Sequence, residues 1–76
     1  MISLQINGKR VELEHPTRLL AYLDHLGVNP LAVAVEHNGT IIERSAYEAV
    51  TLRENDTVEI VRMVGGGKPS AGPTSP

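Results

Sequence analysis

The chain has no cysteine, no phenylalanine and no tryptophan among its 76 residues. Without cysteine there is no disulfide, no thiolate metal site and no thiol nucleophile. Without the two largest apolar side chains, the core must be built from aliphatic residues. No apolar run approaches the ~20 residues that a membrane-spanning helix needs, and no basic-then-apolar leader opens the chain. Cation excess is missing too: seven Lys and Arg stand against nine Asp and Glu, for a net charge of −2. Nothing in that balance grips nucleic acid phosphates. A soluble, cytoplasmic domain that binds neither nucleic acid nor membrane is the expectation.

What is present is unevenly spread. Apolar residues make up 41% of the chain, enough for a globular domain. From Gly65 to Pro76 the one apolar side chain is Ala71, among glycines and prolines. The expected organisation is therefore a folded domain over 1–64 and a tail over 65–76. Such a domain has a stability of only a few kcal/mol, on the order of 0.1 kcal/mol per residue. It is also too small to enclose a deep active site easily.

Ile2, Leu4 and Ile6 alternate with Ser3 and Gln5, the period of a strand with one buried face. Asn7-Gly8 follows, a pair suited to a type I′ hairpin turn. With those two as the turn, paired residues have numbers that sum to fifteen. Leu4 then faces Val11, Ile2 faces Leu13, and Lys9 alone breaks the pattern opposite Ile6. After Pro16, Thr17 is the expected helix cap, with Leu19, Leu23 and Leu26 on the buried face, Leu20 widening it, and Tyr22, Asp24 and His25 off it. Gly27 suits the left-handed position that ends a helix. Leu31 to Val35 reads as a buried strand, Asn38-Gly39 as a second turn, and Thr40 to Ile42 as a short return strand. Arg44 to Ala49 fits a single helical turn around Tyr47. Asn55 is a candidate for positive φ, and Thr57 to Val64 is the longest strand. This order implies an α+β fold, with one main helix on one face of a mixed sheet of four to five strands.

Side chains that could do chemistry are sparse. His15, His25 and His37 have no ligand spacing among themselves or with the carboxylates, and read as solvated groups. Ser3 and Ser45 lack a neighbouring base. Glu12 with Glu14, and Glu54 with Asp56, read as ordinary surface and turn charges. The sequence does not describe a catalyst. Gly65-Gly66-Gly67 is its unusual feature. A phosphate loop of this kind leads into a helix, and here Lys68-Pro69 follows instead. Two readings stay open: a flexible linker, or a thread without side chains that enters a narrow channel in another protein.

Ile6-Asn7-Gly8-Lys9, the Thr17 to Leu23 segment, Val33 to Gly39, Ile41 to Arg44 and Asn55 to Gly67 together resemble the ThiS family. These are small ubiquitin-like sulfur carriers of thiamin biosynthesis, and the likeness covers residues 1–67. The resemblance implies a β-grasp fold. It implies that a ThiF-type adenylating enzyme, using ATP and magnesium, activates the carboxylate of Gly67 while Gly65 and Gly66 thread its active site. A sulfur donor fed by a cysteine desulfurase then makes a thiocarboxylate, which thiazole synthase (ThiG) uses; the carrier itself binds no cofactor. Val61 and Met63, on the face opposite the helix, are the expected partner-docking residues.

One departure from the family pattern stands out. Reactive members end at the glycines, whereas nine residues, Lys68 to Pro76, follow Gly67 here. Three accounts stay open: removal by a JAMM-type protease, a remnant foreign to the natural chain, or a β-grasp interaction domain that transfers nothing. A carrier for another acceptor, as in MoaD-type molybdopterin synthesis or tRNA thiolation, is a further alternative. The short Arg44 to Leu52 connection favours the ThiS reading.

Overall fold

The computed structural model describes residues 1–63. Strands β1 (Ile2–Ile6) and β2 (Lys9–Leu13) form the expected hairpin, with Ile2 opposite Leu13, Leu4 opposite Val11 and Ile6 opposite Lys9. Asn7 (φ 54°) and Gly8 (φ 79°) take the positive values that the turn requires. The chain then passes through a two-residue strand β3 (Thr17–Arg18) into helix α1 (Leu19–Leu26).

The start of α1 differs from the sequence expectation. The cap position belongs to Arg18 and no side chain caps the helix. The Thr17 hydroxyl donates instead to the His15 carbonyl at 2.9 Å. The first helical N–H, from Leu19, donates to the Val50 carbonyl at 2.9 Å. That bond extends a small ladder in which Thr17 pairs with Leu52 and Arg18 with Thr51 of strand β6 (Thr51–Leu52). A strand pairing thus supplies what a side-chain cap was expected to supply. Local sequence carries no trace of it, because the two partners lie far apart along the chain.

The buried face of α1 also departs from expectation. Leu19 and Leu23 are fully buried, and Tyr22 is buried with them at 7% exposure. Leu26 is 46% exposed, at the rim of a cleft with Ile6, Val28 and Ile60. The interface is centred on the first two turns. Gly27 (φ 77°) closes the helix, its N–H bonded to the Asp24 carbonyl and the Val28 N–H to the Leu23 carbonyl. An eight-residue helix is too short to persist alone, so the burial of Leu19, Tyr22 and Leu23 sustains it.

The strand expected from Leu31 begins later. Pro30–Ala32 is a single 3-10 turn, started by the Asn29 side chain accepting the Leu31 N–H at 2.8 Å. Leu31 is consequently 64% exposed. Strand β4 (Val33–His37) follows and turns at Asn38-Gly39 into β5 (Thr40–Ile41). A 3-10 segment, Arg44–Ala49, buries Tyr47, whose hydroxyl donates to the Val33 carbonyl at 3.1 Å. After β6 and a turn in which Asn55 has φ 68°, strand β7 (Thr57–Arg62) completes the sheet.

The five-stranded sheet runs β2-β1-β7-β4-β5, with β7 parallel to β1 and antiparallel to β4. The last strand therefore enters the middle of the sheet, and the mixed sheet wraps one helix as a β-grasp. The core is aliphatic apart from its two tyrosines: Ile2, Leu4, Ile6, Leu19, Leu23, Val33, Val35, Leu52 and Val58 beside Tyr22 and Tyr47.

Candidate functional site

The candidate site is built outward from β7, whose direction leads to the three glycines. Gly65, Gly66 and Gly67 themselves lie outside the described residues. Two Asn-Gly turns hold the strand that precedes them. Asn7 accepts the Ile60 N–H on Oδ1 at 2.7 Å and donates Nδ2–H to the Ile60 carbonyl at 3.2 Å. Asn38 accepts the Thr57 N–H on Oδ1 at 2.8 Å and gives its own N–H to the Thr57 carbonyl at 2.7 Å. Each asparagine thus turns a hairpin and also continues the ladder along β7, one from either flank. Sequence showed the turns; the second use of each side chain depends on the sheet order.

The β7 side chains divide as alternation requires. Val58 is fully buried under the helix and Ile60 is half-buried, whereas Val61 is 58% exposed on the outer face. Val61 lies beside Ala34, Glu36, Ile41 and Glu59 in a shallow hollow of about 170 Å³. Met63 is half-buried and does not share that hollow. Its N–H donates to the Ala32 carbonyl at 2.9 Å, and it lines a separate cleft with Gly27, Val28 and Asn29. Ile41, 75% exposed, is the apolar neighbour that sequence reading missed. Nothing in a two-residue strand distinguishes an outward isoleucine from a core one.

The turn charges are not simple solvated groups. Asp56 has one carboxylate oxygen 2.8 Å from His37 Nε2 and accepting the Arg53 N–H at 2.9 Å. Its other oxygen accepts from Asn38 Nδ2 at 3.1 Å. Burial pushes the Asp56 pKa up, but the hydrogen bonds from His37, the Arg53 N–H and Asn38 outweigh it and hold the carboxyl below its ordinary value. Glu54 accepts the Ser3 N–H at 2.9 Å. The expectation that His37 is a solvated group is therefore corrected, since it and Asp56 are half-buried and paired. Glu54 is the exposed turn charge expected, and its bond to Ser3 also ties the turn to β1. Sequence could not show this because His37 and Asp56 meet only through strand pairing.

No catalytic centre emerges among the described residues. No group of three or more His, Asp or Glu side chains could hold a metal ion there. Ser3 Oγ is buried without a hydrogen-bond partner, so no base activates it, and Ser45 is exposed. No described helix is long and apolar enough to cross a membrane.

Comparison with known proteins agrees with this geometry. A family model described as the ThiS family matches residues 4–67. The sulfur carrier protein ThiS of Bacillus subtilis is 38% identical over 65 residues, covering 84% of this chain and 98% of that protein. A thiazole synthase of Magnetococcus marinus is 39% identical over 67 residues, covering 88% of this chain; the chain spans 21% of that protein's length. The crystal structure of the thiamine biosynthesis protein ThiS from Geobacter metallireducens superposes with a TM-score of 0.75 at 33% identity, covering 87% of this chain and all of that one. The chain belongs to the ThiS family.

Proposed function

We propose that the chain is a sulfur carrier for the thiazole ring of thiamin, with the carboxylate of Gly67 as the atom group that carries sulfur. The observation behind this reading is that the family match runs to residue 67, the third glycine, through a strand held in the middle of the sheet.

The chemistry suits a division of labour. A carboxylate resists nucleophiles because its charge is delocalised and its oxygens leave poorly. A ThiF-type partner holding ATP and magnesium lets the Gly67 carboxylate attack the α-phosphorus, with pyrophosphate leaving. The terminal sulfur of a persulfide made by a cysteine desulfurase then attacks the acyl carbon and AMP leaves. A second thiol reduces the resulting acyl disulfide, breaking its S–S bond to release the thiocarboxylate and leaving a disulfide on the donor. Thiazole synthase is the acceptor. Phosphate binding and oxyanion stabilisation belong to the larger partner, and the carrier supplies a body and a thin end. The absence of cysteine is compatible with sulfur carried on the main chain. ATP-dependent activation fits a cytoplasmic location.

Lys68 to Pro76 must leave first, because a glycine inside a peptide has no carboxylate to activate. Hydrolysis of the Gly67–Lys68 bond by a JAMM-type protease would free it. The test is mass spectrometry of the protein purified from its native host. A chain ending at Gly67 and heavier by ~16 Da, from oxygen exchanged for sulfur, is the expected species. A chain still carrying the nine residues, inert to the host's adenylating enzyme and uncut by its extract, would establish the non-transferring alternative.

A further inference from the structure

The outer face of the sheet carries an electrostatic conflict. Glu36 of β4 and Glu59 of β7 are directly opposite each other in the register, and Glu36 is also opposite Ile41 of β5. Both carboxylates lie on the face away from the helix, since their neighbours Val35 and Val58 are buried in the core. Like charges on one rung repel. Among the described residues neither glutamate has an ion-pair partner. On the same face Val61 is 58% and Ile41 75% exposed, next to the hollow that these residues share with Ala34.

We infer that this face is the docking surface for the adenylating enzyme that activates Gly67, and that it selects a partner presenting an arginine or lysine flanked by aliphatic side chains. The inference rests on the carrier reading. Three observations fix the occupant. First, two unneutralised carboxylates beside exposed aliphatic groups complement a cation set in an apolar surround, and they repel an acidic surface. Second, the face is continuous with the reactive end, because Val61 lies on β7 six residues before Gly67. Those six residues span at most ~20 Å when extended, so an enzyme seated on Val61 can hold Gly67 in a site within that reach. Third, the rung weakens the free carrier, and a cation from the partner turns the repulsion into attraction. The surface is thus centred on Glu36, Glu59, Ile41 and Val61, and Met63 lies outside it.

The experiment uses the chain ending at Gly67, which retains every described residue of the fold, and the adenylating enzyme of the same organism. ATP–pyrophosphate exchange is followed against carrier concentration at low and high salt. For the Glu36→Gln, Glu59→Gln double variant we expect a KM for the carrier raised about tenfold and a flattened salt dependence, with kcat retained, since steering charges act on encounter. Thermal unfolding of the same variant should match or exceed the parent, which a merely structural role for the glutamates does not produce. A parent chain that is adenylated, beside a double variant of equal KM and equal salt dependence, overturns this inference alone. A parent chain that is not adenylated at all overturns the carrier reading and this inference together.

Discussion

Asn7 and Ile60 exchange two hydrogen bonds, side chain to main chain, as a pair of strand residues would exchange them main chain to main chain. The Oδ1 contact is 2.7 Å and the Nδ2 contact 3.2 Å. The carboxamide therefore acts as one more rung between the first hairpin and β7. Aspartate at this position keeps the tolerance for positive φ but has no donor for the Ile60 carbonyl, and sets an anionic oxygen against it. Asn7→Asp should cost about 0.5–1.5 kcal/mol, the net worth of a hydrogen bond whose acceptor water can reach. Urea unfolding at neutral pH measures it, and an unchanged midpoint would remove Asn7 from the account of what holds β7.

A second prediction concerns acid. The Asp56 carboxyl is held below its ordinary value of 3.8, burial opposing and the bonds from His37, Arg53 and Asn38 prevailing. A folded pKa below the unfolded one means that the folded state binds the proton less readily. Its contribution is fully present above the unfolded value and is lost as pH falls through the lower, folded value. The parent chain should lose this contribution progressively as pH falls from above the ordinary carboxyl value of 3.8 through the lower, folded one. Asp56→Asn should be less stable at neutral pH, and the gap between the two should close in acid. Parallel curves over that window would show that the Asp56 network is not coupled to folding.

The contact between the Tyr47 hydroxyl and the Val33 carbonyl ties the 3-10 segment to the central strands from within the core, at 3% exposure. Tyr47→Phe should cost about 1 kcal/mol, the net worth of one hydrogen bond with its acceptor left in place. Tyr47→Ala should cost about 3–5 kcal/mol, because a cavity is added. Calorimetric melting of both variants separates the hydroxyl from the ring. Equal losses would place the whole effect in the hydroxyl, and an unchanged Tyr47→Phe would place it in packing.

The elements legible in the sequence were those specified by neighbours along the chain. The β1–β2 register followed from two residues, Asn7 and Gly8, because a two-residue turn fixes every later pair. Gly27, Asn38 and Asn55 were equally local, each marked by a residue type that tolerates positive φ. What stayed hidden needed the tertiary arrangement. Tyr22 counted as off the leucine stripe, yet the sheet meets the first two turns of α1 and takes it in. Thr17 counted as a cap, yet β6 arrives to satisfy the helix end instead. At the candidate site the outward exposure of Val61 was legible, while Gly65, Gly66 and Gly67 lie outside the described residues. The rung of Glu36 and Glu59 was not, because it exists only once β7 lies against β4.

The last prediction concerns the thread itself. If Gly65 and Gly66 are without side chains because they pass through a channel with no room for a Cβ, then bulk at the middle position blocks activation without touching the fold. The body is unaffected because, among the described residues, every buried residue of the core lies at or before Val58. In the chain ending at Gly67, Gly66→Leu leaves the terminal carboxylate chemically intact and changes only its access. Displacing the carboxylate by even an ångström from the α-phosphorus should lower the rate of ATP–pyrophosphate exchange by about a hundredfold or more. Circular dichroism and the melting midpoint should match the parent. A Gly66→Leu chain that exchanged at the parental rate would show that the glycines serve flexibility or linkage, and that the partner's site is wide enough to admit an ordinary side chain.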